Sequence, residues 1–174
     1  MTPAARAPRR IMFLEGNTDG TVGGSQRVLL EVVTHLDRRR FEPVVLFYEE
    51  HILVPDFREQ CKVLIFRSGS LRLAADYPEL YCRLAAVRPL LLLALIGQKL
   101  FNFAFHVVPQ FLNIVALIRR ERLDLVCLNN APVLTDWLLA CKLLGRPCVS
   151  YFRGTPSSIY PLHRRLTEYY DAVL

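Results

Sequence analysis

The chain has 174 residues, enough to bury one hydrophobic core without disulfides or a structural metal, so a single domain is expected. With 22 Lys and Arg against 16 Asp and Glu, its net charge of +6 favours anionic partners such as phosphorylated substrates or acidic lipid headgroups. Nucleic acid is not expected, because no recognition motif or aromatic platform accompanies the basic residues. Five cysteines without a C-x-x-C pair indicate neither a disulfide framework nor a zinc site, which suits reduced thiols in the cytoplasm.

The first elements predicted along the chain are a strand, a glycine turn and a helix. Residues 1–10 form a basic tail, and the apolar run 11–14 is too short for a signal peptide but fits a buried strand. Gly23 and Gly24 then precede a segment whose apolar residues have helical spacing. Paired glycines at a helix start let a phosphate approach the exposed N–H groups. The alternative is a turn that merely closes a βα unit.

Apolar runs and helical segments alternate over most of the remaining chain. The predicted elements are a strand at 43–48, a helical or irregular stretch at 54–60, strands at 61–66 and 123–130, a helix at 133–144, a strand at 148–152, a helix at 158–170 and a last strand from 171. Short apolar runs are typical of parallel strands buried on both faces. The sequence therefore predicts an α/β fold with a Rossmann-like, doubly wound parallel sheet.

An apolar helical insert is predicted over about 81–118. Lys99 is the only formal charge between Arg88 and Arg119, and the segment accounts for much of the 52% hydrophobic content. A single transmembrane helix needs about 20 mostly apolar residues, and polar residues interrupt this run at short intervals. Two helices in a membrane interface, or two core helices covering the sheet, fit the pattern better. His106 is expected to be an interfacial or hydrogen-bonded histidine rather than a metal ligand.

Ligands of open α/β sheets bind outside the carboxyl ends of the strands, near the point where the strand order reverses. The loops that follow Leu14, Leu128 and Phe152 should therefore share one crevice. That crevice would collect Gly23, Gly24, Asn129, Asn130 and Arg153.

Several common chemistries are disfavoured at this crevice. The glycines at 16, 20, 23 and 24 do not have the G-x-G-x-x-G spacing of a nicotinamide or flavin site, and no G-K-[ST] marks a P-loop. Neither Ser25 nor Ser150 has the G-x-S-x-G surroundings of a hydrolase nucleophile.

Four stretches resemble a known family in their order and spacing. They are residues 23–31 (GGSQRVLLE), 37–42 (DRRRFE), 117–126 (LIRRERLDLV) and 145–149 (GRPCV). Together they resemble the N-terminal half of the retaining GT-B glycosyltransferases of family 4, over nearly the whole chain apart from the apolar insert.

The resemblance implies a metal-independent, cofactor-free enzyme that moves a sugar from a nucleotide-sugar donor to an acceptor hydroxyl, in a cleft between two Rossmann-like domains. This chain resembles the acceptor-side domain. Gly23, Gly24 and Ser25 would form the donor-phosphate loop. The resemblance places four residues in the acceptor cleft: Asn129, Asn130, Arg153 and Gly154. It assigns no catalytic residue.

Two of these positions depart from the family, which often carries histidine where this chain has Asn129 and Arg153. The departures remove the side chains most often linked to acceptor or sugar contact. Arg153 could pair instead with a phosphate or a carboxylate in a bidentate manner. Asn129 and Asn130 equally suit helix capping or a turn.

The donor-binding C-terminal domain of the family is not found within the 174 residues. The chain alone is therefore expected to be inactive and to need that domain in cis or in trans. The basic, apolar insert suggests a peripheral position on the inner face of the cell membrane, with a lipid-linked or cell-surface glycan as acceptor. The alternatives are a non-catalytic, membrane-associated binding or assembly protein with the same fold, and a small membrane-spanning protein.

Overall fold

The computed structural model separates the chain into two compact units. Residues 1–67 and 114–174 form one unit, here called the sheet unit, and residues 68–113 form the other, the helical unit. The residues that the structure describes are 7–16, 23–50, 52–67, 77, 79, 82–83, 87–129, 135–151 and 167–173. The single domain expected from length is thus a sheet unit with a separate insert.

The elements alternate between strands and helices along the described chain. They are β1 (Arg9–Glu15), α1 (Gly24–His35), β2 (Phe41–Phe47), α2 (Val54–Gln60), β3 (Lys62–Ile65), α3 (Arg88–Asn102), a π-helical turn (Phe103–Val107), α4 (Val108–Arg120), β4 (Leu125–Asn129), α5 (Thr135–Leu143), β5 (Cys148–Tyr151), a 3₁₀ turn (Thr167–Tyr169) and β6 (Ala172–Val173). The basic tail predicted over 1–10 is shorter than expected, because Arg9 and Arg10 already belong to β1.

The strands form one parallel sheet in the order β3-β2-β1-β4-β5-β6. The chain runs outward from β1 to one edge and returns to β4 on its other side, which is the doubly wound arrangement. The predicted fold class, an α/β Rossmann-like parallel sheet, is confirmed.

The central strands are buried on both faces because their sequences are continuous apolar runs. On one face, Ile11 and Phe13 of β1 and Val45 of β2 pack with Leu29 and Val33 of α1 in a core cluster. Since side chains alternate along a strand, Met12 and Leu14 lie on the opposite face, where both are fully buried. Burial on both faces fixes the sheet between its helices.

An aromatic cluster fills the core near the carboxyl ends of β2 and β3. The Phe66 ring meets Tyr48 and Trp137 edge to face, with centroids 6.1 Å and 5.7 Å apart. Trp137 Nε1 donates a 2.9 Å hydrogen bond to the Tyr48 hydroxyl, so the buried indole is satisfied. Burial raises the pKa of Tyr48 to about 12, which keeps the phenol neutral.

An ion network joins the amino ends of three strands to the end of α4. Lys62 Nζ lies 2.6 Å from Glu121 Oε2, and the Arg10 guanidinium contacts both Glu121 and Glu42. The Glu121 side chain is only 5% exposed, and the Lys62 hydrogen bond holds the pKa of that carboxyl below its ordinary value of 4.5. The network stabilises the edge of the sheet opposite to the predicted crevice.

A tight turn links α5 to β5. Gly145 has a φ of +61°, the left-handed conformation that favours glycine, and Arg146 N–H bonds to the Cys141 carbonyl at 2.9 Å. These features end α5 as the sequence Gly145-Arg146-Pro147 predicts. Beyond the turn, Asp171 accepts the Cys148 N–H at 2.8 Å, and this bond keeps the pKa of Asp171 low.

Within the described residues, the segment from Arg88 onward is one continuous helix where two were predicted. A continuous helix of 33 residues runs from Arg88 to Arg120, and it is the helix in the described chain that is long and apolar enough to cross a membrane. The prediction of two helices was wrong because Pro109 does not break it. A proline clashes with the carbonyl four residues earlier, and the π-helical turn Phe103–Val107, where Val108 N–H bonds to the Phe103 carbonyl, accommodates that clash.

The helix predicted over 158–170 lies mostly outside the described residues. Its described end, Thr167–Tyr169, is a 3₁₀ turn. In the stretch 81–87, Cys82 and Arg83 are described and are helical, and α3 begins at Arg88.

Candidate functional site

The candidate site lies at the carboxyl ends of three adjacent strands, β1, β4 and β5. Glu15, the last residue of β1, is the register partner of Asn129, the last residue of β4. Asn129 is in turn the register partner of Tyr151 at the end of β5. The strand order therefore brings together the ends of the same three strands whose loops the sequence places in one crevice.

Helix α1 begins in the loop that follows β1. Gly23 is its N-cap, with extended backbone angles of φ −98° and ψ 174°, and Gly24 is the first helical residue. A Cβ built on Gly24 meets nothing within 4 Å, so a side chain at this position would touch no described residue. The first turn of α1 holds no acidic side chain, which leaves the positive end of the helix dipole available to an anion.

The Gly23 amide is engaged by the protein itself. Gln26, 1% exposed in the first turn of α1, accepts the Gly23 N–H on its Oε1 at 2.6 Å. This is one half of a capping box, in which the third helical residue reaches back to the N-cap. The helix start therefore presents the N–H groups of Gly24 and Ser25, for which the described structure shows no acceptor.

A buried polar pair occupies the strand ends at the switch point. Asn129 Nδ2 donates a 2.5 Å hydrogen bond to Glu15 Oε2, and the two residues are 3% and 0% exposed. The hydrogen bond offsets part of the penalty of burying these two polar side chains.

The pair lies on the same face of the sheet as α1. Glu15 follows Ile11 and Phe13 at two-residue spacing, and both of those side chains pack in the cluster with α1. The open helix start and the Glu15–Asn129 pair therefore belong to one face and one edge of the sheet.

The structure describes only some of the other predicted site residues. Asn129 ends β4, and within the described residues its side chain bonds to Glu15. Asn130, Arg153 and Gly154 lie outside the described residues, so their predicted places in the cleft stay predictions. Glu15 was missed because a charged residue after an apolar run usually marks the solvated end of a strand. Its signal was its position at the carboxyl end of β1, beside the predicted glycine loop.

Other features of the described residues do not indicate an alternative centre. No group of three His, Cys, Asp or Glu side chains suited to a metal ion occurs within the parts of the chain described. Cavities of about 370 and 410 Å³ lie at the amino edge, lined in part by Asp124. Arg146 pairs with Asp124 there at 3.6 Å, so this edge is held by its own ion pairs.

Comparison with known proteins shows likeness in structure alone. No protein-family model matches the sequence, and no curated protein matches it. The chain is similar to HepE from Anabaena in complex with UDP, with a TM-score of 0.58 and 14% identity over 94% of this chain and 36% of that one. It is also similar to a glycosyltransferase from Rickettsia africae, with a TM-score of 0.59 and 14% identity over 92% and 34% of the two chains.

The fold matches one Rossmann-like half of the GT-B architecture found in glycosyltransferases. The chain spans a little over a third of the length of these structures. A putative UDP-N-acetylglucosamine 2-epimerase from Listeria monocytogenes matches as well, with a TM-score of 0.52 and 14% identity over 97% of this chain and 39% of that one. Because the same half-fold occurs under two enzyme names, these similarities establish the fold and leave the activity to the site.

Proposed function

We propose that this chain is the acceptor-side half of a glycosyltransferase that moves a sugar from a nucleotide-sugar donor to a hydroxyl of a glycan or lipid-linked acceptor. The observation that carries the proposal is the open, glycine-headed start of α1 at the switch point of the sheet. The likeness to HepE, which was solved with UDP, supports a nucleotide sugar as the donor.

In this proposal the start of α1 stabilises the donor diphosphate. The Gly24 and Ser25 amides and the helix dipole supply positive potential where negative charge grows on the leaving group. A Cβ built on Gly24 meets nothing within 4 Å, so the described residues leave room for a ligand at this position. Such a site needs no metal ion, so transfer should persist in EDTA.

Glu15 acts in this proposal as a positioning residue. Its side chain holds the Asn129 amide at the end of β4, beside the predicted acceptor cleft. Arg153 and Gly154 would add to the same cleft from the loop after β5.

The test is UDP release from UDP-sugars by this chain combined with a donor-binding GT-B domain, fused or added separately. Gly24→Pro removes one N–H group at the first helical position, where proline is well tolerated, and the extended backbone of Gly23 suits a following proline. Loss of one hydrogen bond to a charged group should lower kcat/KM about 10- to 100-fold.

Gly24→Ala is the matched control, because it keeps the N–H group and its Cβ meets open space. We expect its kcat/KM to stay within about twofold of the wild type. Equal activity of the proline and alanine variants would contradict a role of the Gly24 N–H group in sugar transfer. Robust transfer by the chain alone would contradict the assignment as one half of the enzyme.

A second candidate is a non-catalytic assembly protein that retains the fold. The observation in its favour is the burial of Asn129, whose amide is bound to Glu15. Such a protein should bind its partner chain equally well with glycine or proline at position 24. This candidate would be favoured if the chain binds its partner but transfers no sugar with any donor or with any added second domain.

A further inference from the structure

Many large apolar side chains of the helical unit are exposed, whereas several of its uncharged polar side chains are partly buried. Along α3 the less exposed positions recur at helical spacing and include Gln98 and Asn102, and His106 in the π-helical turn is also only half exposed. Gln98 and Asn102 each take part in an interaction. The exposed large apolar residues of the helix are Leu90, Leu92, Leu93, Ile96, Leu100, Phe101, Phe103, Phe105, Val107 and Leu112. These exposed apolar residues are here called the outward face.

The outward face is too large and too continuous for an ordinary solvated helix. Leu93 is 64% exposed and Phe105 65% exposed, and no residue of α3 is buried. Scattered exposed apolar residues are common, but contiguous apolar patches mark a surface that another phase or molecule covers. The rings of Phe101 and Phe105 stack on each other with centroids 4.8 Å apart, which gives this face a compact aromatic centre.

The charge of this segment has one sign. Between Arg88 and Arg120 the sequence holds Lys99 and Arg119 but no aspartate or glutamate. Lys99 is exposed, and a lysine can lay its alkyl stem on an apolar surface while its ammonium reaches out of it. A protein partner of this shape would need an apolar groove with acidic rims, whereas an anionic lipid surface supplies both properties directly.

A bilayer span by the same helix conflicts with its last turns. Ile114 and Ile118 of α4 are 0% and 1% exposed in the core of the sheet unit. The part of the helix that remains, residues 88–113, carries Lys99 near its middle. A lysine at the centre of a bilayer is unfavourable by about 3 kcal/mol or more. A position in the interface keeps Lys99 at the headgroups.

We propose that the outward face of residues 90–112 lies in the headgroup and acyl boundary of an anionic membrane, parallel to its surface. The apolar side chains of that face insert among the acyl chains, while Arg88 and Lys99 pair with lipid phosphates. This proposal is independent of sugar transfer, since lipid binding can be measured on the chain without donor or acceptor.

The experiment is flotation of the purified chain with vesicles of phosphatidylcholine alone or with 30% phosphatidylglycerol added, about the anionic content used in such assays. The wild type should float with the anionic vesicles, and less with the neutral ones. Leu93→Gln combined with Phe105→Gln removes two outward apolar side chains without touching the sheet unit core. It should weaken partitioning about tenfold or more.

The matched control is Leu139→Gln with Leu143→Gln in α5, whose side chains are 53% and 65% exposed in the sheet unit. This variant should float as the wild type does. Failure of the wild type to float, or equal loss in both variants, overturns the proposal. Retention in membranes after carbonate washing indicates a span and also overturns it. So does a dimer in light scattering that Leu93→Gln and Phe105→Gln convert to a monomer, because the face would then bind a second copy.

Discussion

The sheet unit and the helical unit use apolar residues in opposite ways. In β1 and β2 the apolar side chains are buried almost without exception, and Arg10 of β1 pairs with Glu42 of β2. In α3, which is richer in leucine, no residue is buried. Hydrophobic periodicity therefore identifies a face that avoids water, but the surrounding structure decides whether protein or something else covers it.

Both behaviours occur within one helix. The helix from Arg88 to Arg120 changes from exposed to buried apolar residues between Leu112 and Ile114. The comparison can thus be made between residues of the same type, in the same secondary structure, a few positions apart.

The largest expected difference in unfolding free energy is between alanine substitutions in the buried and in the exposed part of this helix. Ile118→Ala removes a fully buried side chain and should lower the free energy of unfolding by about 2–5 kcal/mol. Leu112→Ala removes one that is 57% exposed and should change it by less than about 0.5 kcal/mol. Urea unfolding measures both. Similar losses in the two variants would show that the outward face is part of a folded core.

The ion network gives the next largest effect and a pH dependence. Glu121→Gln leaves Lys62 and Arg10 without their shared carboxylate, and should reduce the free energy of unfolding by about 1–3 kcal/mol at pH 7, because Lys62 is half exposed.

Because the pKa of Glu121 is lower in the folded state, its contribution is complete above the ordinary value of 4.5 and is lost as the pH falls below it. The difference in stability between wild type and Glu121→Gln should therefore shrink between about pH 5 and pH 3. A difference that stays constant over this range would contradict the assignment of the effect to the carboxylate charge.

The smallest effects are opposite in sign at two glycines. Gly145→Ala forces a Cβ into the left-handed φ of +61° and should destabilise the sheet unit by about 1 kcal/mol. Gly97→Ala lies in a regular helix, where a Cβ meets nothing within 4 Å, and should stabilise that helix by about 0.5–1 kcal/mol. Denaturant unfolding followed by far-ultraviolet circular dichroism tests both. The same sign for the two variants would contradict these backbone assignments.

The sheet could be predicted from the sequence because continuous apolar runs leave few alternatives. β2 and β5 start or end within two residues of their predicted bounds, and the alternation of strands and helices predicted the doubly wound parallel sheet. The insert was harder. Pro109 and the polar residues before it suggest a break, but a π-helical turn accommodates the proline without one.

The site was predictable only in outline. The glycine-headed helix followed from Gly23 and Gly24, whereas the engagement of the Gly23 amide by Gln26 depends on a capping geometry that few residues specify. The bond between Glu15 and Asn129 joins residues 114 positions apart, and only the strand order brings them together. Long-range register of this kind is not visible in local sequence patterns.

The hydrogen bond between Trp137 and Tyr48 has a practical consequence. Trp137 is the only tryptophan of the chain, and it is fully buried in the sheet unit. Its fluorescence should be blue-shifted in the native protein and should move to the red when that unit unfolds, with no contribution from a tryptophan in the helical unit. The emission spectrum therefore reports on the unfolding of the sheet unit alone. A circular dichroism transition that occurs without a shift in this emission would report on the helical unit.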